Sequence, residues 1–206
     1  MAHDPVRRRA LPEGHAQARP WTPPLTVHPP DPERHFDFRD PHAAAAWAAI
    51  DDRVMGGCSQ SRLRADAQGH AVFEGVVSLR NGGGFASVRS APGALGHPGA
   101  QALCLRVRGP ALDYKLSLFT DDGFDSLGYQ AGFRPQPAAW TVVVLPLADF
   151  MARWRGRELP GAPPLQAARV RQIGLLRAGR QAGAFALDVA WIGWAASRAA
   201  PGDIDD

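Results

Sequence analysis

Alternation of apolar and polar residues with a period of two, repeated from Ala71 onward, most constrains what this chain can fold into. Phe73, Gly75, Val77 and Leu79 share one face of a run whose other face carries Val72, Glu74, Val76 and Ser78. Leu103, Leu105 and Val107 alternate with Cys104, Arg106 and Arg108, and Tyr114, Leu116 and Leu118 with Lys115, Ser117 and Phe119. Tyr129–Phe133, Trp140–Val144, Ile173–Leu176 and Phe185–Trp191 continue the pattern. Each is the signature of a half-buried strand, because successive side chains on a strand point to opposite faces. With 22 Gly and 19 Pro among 206 residues, turns outnumber long helices. Helix signals are confined to residues 41–50, around Trp47 with Asp40 as cap and Pro41 first, and to a single turn starting at Asp149. Seven or eight short strands predict an all-β antiparallel sandwich or barrel in one domain of about 150 residues.

The ends read differently from the body. Residues 1–35 hold eight of the prolines and few large apolar side chains, which predicts a disordered Pro-rich tail. Residues 36–197 form the predicted domain, and 198–206 a short acidic tail. Arg7, Arg8 and Arg9 are followed by no apolar core of a secretory signal, and the prolines disfavour an amphipathic presequence. No apolar run reaches the ~18 residues of a membrane span. The two cysteines, Cys58 and Cys104, are expected as reduced, unlinked thiols, and the location as cytoplasmic. Every basic residue except Lys115 is arginine, a skew that reflects base composition in the source genome and reads as bacterial. Residues 36–202 carry 18 basic against 13 acidic residues without a basic block, which argues against nucleic-acid binding.

Two glycine-rich segments interrupt the alternation. In Asp51-Asp52-Arg53-Val54-Met55-Gly56-Gly57-Cys58-Ser59 the paired glycines permit a tight turn or close approach of a ligand. Gly57-Cys58-Ser59-Gln60-Ser61 lacks the second glycine and the strand–turn–helix setting of a nucleophile elbow. Arg80-Asn81-Gly82-Gly83-Gly84-Phe85 follows a strand and predicts a hairpin connection, with Arg89 beyond it able to face a cleft. No Gly-Lys-Ser/Thr follows to make it a phosphate loop. Asp121-Asp122-Gly123-Phe124-Asp125 misses the calcium-loop spacing, and the histidines lack metal-ligand spacing. No catalytic, cofactor or metal residues are assigned.

In order along the chain, several motifs resemble those of the complex I intermediate-associated protein 30 family. Asp52-Arg53-Val54-Met55-Gly56-Gly57-Cys58-Ser59 is similar to that family's Asn-Asp-x-Val-Met-Gly-Gly-x-Ser opening. Phe73-Glu74-Gly75 and Asn81 through Arg89 match its Phe-x-Gly and Asn-x-Gly-Gly-Phe-Ala-Ser-x-Arg segments. Arg108-Gly109, Tyr114, Trp140, Pro146, Phe150, Arg155-Gly156 and Gln181 to Phe185 continue the match across residues 37–193. Pro110-Ala111 stand where Asp-Gly is usual, which removes a carboxylate from one loop, and Asp51 replaces the usual Asn. The resemblance implies a galactose-binding-like jelly-roll β-sandwich with few short helices. It also implies a non-catalytic assembly factor for respiratory complex I (NADH:ubiquinone oxidoreductase), with a protein partner and membrane contact only through that client.

The two glycine-rich segments, if they converge, make a partner or ligand site of Asp52, Met55, Gly56, Gly57, Asn81, Phe85, Arg89, Arg108 and Tyr114. The competing expectation is an internal network bracing the loops. A carbohydrate- or small-ligand-binding module is the alternative function, with Trp154 and Tyr129 as candidate stacking platforms.

Overall fold

A computed structural model describes residues 32–177, 179 and 181–196. Thirteen strands among the described residues build two antiparallel sheets packed face to face. The first sheet runs, in spatial order, β3 (Gln60–Asp66), β4 (His70–Val77), β13 (Gly183–Ala196), β6 (Ala100–Arg108) and β9 (Thr141–Pro146). β1 (Glu33–Asp37) also pairs with β13. The second sheet runs β11 (Arg157–Glu158), β10 (Met151–Trp154), β8 (Gly128–Phe133), β7 (Tyr114–Phe119), β12 (Gln172–Arg177), β5 (Ala86–Ser90) and β2 (Trp47–Ala49). Between them lie the apolar halves of the alternating runs: Phe73, Leu103, Leu105, Leu116, Leu118, Ile173, Leu175, Leu187 and Ile192 are all fully buried.

β13 is the organiser of the six-stranded sheet. Residues 183–189 pair with β4 on one side, residues 188–196 with β6 on the other, and β1 takes the place that β4 vacates. At that exchange Gly193 leaves room for the β1 backbone, since a Cβ there would sit 2.5 Å from the Glu33 carbonyl oxygen. Glu33–His35 therefore belong to the sheet, and the body begins before the expected boundary at residue 36. Residues 1–31 and 197–206, which hold the rest of the two expected tails, lie outside the described residues.

Three local expectations need correction. The helix foreseen over 41–50 is a single turn, α1 (His42–Ala45), and Trp47 opens strand β2 instead. Pro41 holds its N-cap position, and the Asp40 carboxylate just before it accepts the His42 N–H at 2.9 Å. Alanine's helix propensity is weak beside what Trp47 gains as a strand residue: pairing with Ser90, edge-on packing against Phe36 and a tilted contact with Phe38. The Asn81-Gly82 run is not a hairpin connection, because β4 and β5 belong to different sheets and the segment crosses between them. Seven or eight strands become thirteen because β1, β2, β3, β5, β10 and β11 are short or lack a clean alternation. No helix among the described residues is long and apolar enough to cross a membrane.

Candidate functional site

Where the chain crosses between the sheets, two buried aspartates tie three segments together. Asp52 sits in a 3₁₀ turn (Asp52–Met55) and is completely buried. Its carboxylate accepts the Ser59 N–H at 2.9 Å, the Ser59 hydroxyl at 2.6 Å, and the N–H groups of Gly84 and Phe85 at 2.7 and 3.3 Å. Burial pushes its pKa up, but the bonds from Ser59, Gly84 and Phe85 outweigh this and hold the carboxyl below the usual range. Asp51 does the same for β3 and β5, accepting from Ser61 N–H and hydroxyl at 2.9 and 2.6 Å and from Ser87 N–H at 2.9 Å. The glycines follow from this packing. A Cβ on Gly83 would lie 2.6 Å from the Asp52 carboxylate, and one on Gly57 would overlap it outright.

Of the candidate residues, this junction gathers Asp52, Met55, Gly56, Gly57, Asn81 and Phe85. Met55 is exposed, and the Asn81 side chain donates to the Gly56 carbonyl at 3.2 Å from a left-handed backbone, φ 55°. Asp52 and Gly57 act inside the junction, whereas Met55, Gly56 and Asn81 form its exposed rim. Arg108 and Tyr114 are not part of it. Arg108 stands at the end of β6 in the six-stranded sheet, paired with Asp188 at 2.7 Å and stacked on Trp140. Tyr114 points into the core against Phe133 and Phe185, where burial pushes its phenol up to about 12 against the opposing charge of Arg177. Tyr129 also points inward, its hydroxyl donating to the Pro163 carbonyl, and Trp154 is half exposed beneath Arg155.

Arg89 faces the opposite way, onto the outward surface of the seven-stranded sheet. Strand register arranges that surface in rows: Met151, Gln130, Ser117, Gly174 and Arg89 form one, and Glu158, Arg153, Gly128, Phe119 and Gln172 the next. Lys115 lies in a third row between Gly132 and Leu176. These side chains point away from the core, yet Ser117 and Gln172 are only 4% exposed and Phe119 6%. The surface is recessed. Small residues line its middle, and the Phe119 ring lies against Gly128, where a Cβ would come within 2.8 Å of it. At one end the 121–126 turn folds over, held by Gln172 donating to the Asp121 carbonyl at 3.0 Å and Arg89 to the Phe124 carbonyl at 3.1 Å. A cleft of about 340 Å³ opens beside it, bordered by Arg89, Gln172, Ala48 and Trp47.

The charges in this trough are unusual for the molecule. Arg89 is half-buried, with its guanidinium 3.7 Å above the Phe119 ring and in no ion pair among the described residues. Burial lowers its pKa, against the opposing pull of Asp121. The Lys115 ammonium makes no hydrogen bond or ion pair among the described residues. Burial holds its ammonium below the usual lysine value, Arg153 adding to the effect and Glu158 opposing it. Sequence inspection missed Lys115, Ser117, Gln130, Arg153 and Gln172 as members of one surface. The single signal was the polar half of the β7 alternation.

The chain matches the model of the family described as Complex I intermediate-associated protein 30 over residues 36–189. It belongs to that family. An uncharacterized protein of Schizosaccharomyces pombe is 28% identical over 160 residues, covering 63% of this chain and 67% of that protein. Among solved structures, the family 11 carbohydrate-binding module of a Clostridium thermocellum cellulosomal cellulase superposes with a TM-score of 0.57 at 12% identity, covering 76% of this chain and 91% of the module. The same kind of module in complex with a β-1,3-1,4-mixed-linked tetrasaccharide gives 0.56 at 12% identity, with coverages of 73% and 89%. An exo-β-agarase gives 0.53 at 7% identity over 81% of this chain and a quarter of the enzyme. These likenesses establish the jelly-roll sandwich. In this member of the family, Gly57 of the Met-Gly-Gly motif and Gly83, Gly84 and Phe85 of the Gly-Gly-Phe motif converge on the Asp52 carboxylate.

Proposed function

We propose that the chain is a non-catalytic binding protein that assists assembly of a multisubunit complex, respiratory complex I by its family, by holding a protein intermediate. It works in the cytoplasm and meets the membrane only through that client. Family membership supports the assembly role. The observation that carries the binding role is Lys115, a half-buried cation whose ammonium makes no hydrogen bond or ion pair among the described residues, on a recessed, outward-facing sheet. Burying a charge without a partner costs stability, so such a group is retained where something else pairs with it. The exposed rim of the junction, Met55, Gly56 and Asn81, adds apolar and amide contacts for the same client, while Asp52 and Gly57 hold that rim in place.

Affinity capture of the full chain from native cells tests this reading. Subunits of the respiratory complex are expected among the recovered proteins; their absence beside a working positive control overturns it. A carbohydrate-binding role is the second reading, favoured by the tetrasaccharide held by a module of the same fold. Neutral sugars are usually gripped by open aromatic faces. In this trough the one ring, Phe119, is covered by Arg89. Strong retention on a glycan array would favour the second reading.

A further inference from the structure

We infer that the trough on the seven-stranded sheet binds an acidic, extended peptide segment, with Lys115 and Arg89 pairing its carboxylates. The inference rests on the reading of the chain as a binder of protein intermediates and gives that client its chemistry.

Dimensions come first. From β10 to β5 the trough crosses four inter-strand spacings, about 19 Å. An extended peptide rises about 3.3 Å per residue, so roughly six residues fill it. Arg153, Lys115 and Arg89 stand on the first, third and fifth strands of that crossing, each in a different row, so a cation recurs on every second strand. Arg153 is already paired with Glu158, which leaves Lys115 and Arg89 to meet incoming charge. Both are half-buried, and an attraction in such a recess is screened less than at an open surface.

Gly132, where a Cβ would meet only the Tyr114 carbonyl oxygen at 3.9 Å, admits a backbone close to the sheet beside Lys115, while Met151 and Leu176 offer aliphatic contact on either side of Lys115. Gln130, half-exposed on the same row as Ser117, supplies an amide for a peptide group. The cleft beyond Arg89 continues the path and is bordered by Trp47, whose indole N–H has no hydrogen-bond partner among the described residues. The ring inside the trough, Phe119, is covered by Arg89, and the exposed Phe124 stands on the turn at its end; the two half-buried cations favour an acidic peptide over a neutral glycan.

The test titrates the full chain with an octapeptide of alternating glutamate and valine, its glutamine counterpart, and a trimer of galacturonate. The glutamate peptide is expected to bind at least tenfold more tightly than the glutamine peptide and to weaken as salt rises. Lys115→Met should reduce that affinity at least fivefold with the melting temperature unchanged, and Lys115→Glu should abolish it. Arg62→Met, on the exposed face of the other sheet, should leave it intact. Equal binding of the two peptides, no binding of the glutamate peptide at millimolar concentration, or an unaltered affinity in Lys115→Met overturns the inference. Preference for galacturonate over the peptide does so too and assigns the trough to an anionic sugar. Peptide binding without capture of respiratory subunits would sink the proposed client while leaving the trough's chemistry standing; capture without peptide binding does the reverse.

Discussion

The junction around Asp52 and the trough around Lys115 both bury charge beside glycines, and they resolve it in opposite ways. At the junction a carboxylate with no exposed surface receives four hydrogen bonds from two segments, at Ser59 and at Gly84-Phe85. In the trough an ammonium of intermediate exposure meets no acceptor, and the guanidinium near it meets only an aromatic ring and backbone carbonyls. The glycines differ in the same sense. Gly57 and Gly83 are small because a carboxylate occupies the space, whereas a Cβ on Gly132 would meet only the Tyr114 carbonyl oxygen at 3.9 Å. A satisfied buried charge is a strut, and an unsatisfied one is a place for a partner. The most recognisable motif of the chain accordingly holds its frame, and the plainer strands carry the surface proposed for a client.

If this contrast is right, the largest effect comes from removing the strut. Asp52→Ala strands the Ser59, Gly84 and Phe85 donors and should cost about 3–5 kcal/mol. For a body of this size that is about 10 °C in melting temperature, read by calorimetry. A change within a degree or two would erase the distinction between the two regions.

Next, the paired glycines should separate. Gly57→Ala drives a methyl group into the Asp52 carboxylate and should lose about 2–4 kcal/mol in urea unfolding. Gly56→Ala meets nothing within 4 Å and carries only the strain of its left-handed backbone, φ 86°, about 1 kcal/mol. Equal losses would mean that turn geometry, rather than the carboxylate, selects glycine here.

The smallest effect belongs to the trough. Lys115→Met removes a charge that burial disfavours, so stability should change by less than about 1 kcal/mol, upward if at all. A larger loss in the same urea titration would make Lys115 a second strut.

Much of the frame was legible because core faces impose a period of two. Phe73/Val77, Leu103/Leu105/Val107 and Leu116/Leu118 sit inside as their alternation requires. The junction was legible as a motif but not as a mechanism. Asp52 and Gly84 stand 32 residues apart, and no local pattern says that one receives a hydrogen bond from the other. Asn81-Gly82 misled for a related reason: a positive φ suits a hairpin and equally suits a crossing between sheets. Trp47 was drawn into a helix by its alanines, while its actual partners, Phe36, Phe38 and Ser90, come from other elements. The trough was least visible of all. Its members come from β10, β8, β7, β12 and β5, and only the register between strands places Gln130 beside Ser117 or Gly174 beside Arg89.

β13 lies between β4 and β6, yet it is translated after both. A ribosome must therefore release residues 183–196 before the six-stranded sheet can close, and until then β4 and β6 have no strand to join them. Nascent chains halted short of that point leave Phe73, Leu103 and Leu105 without the Leu187 and Ile192 that cover them. Non-local pairing of this kind folds slowly and exposes apolar edges while it waits. For a protein cast as a helper of other proteins' assembly, its own biogenesis is a stage at which it needs guarding.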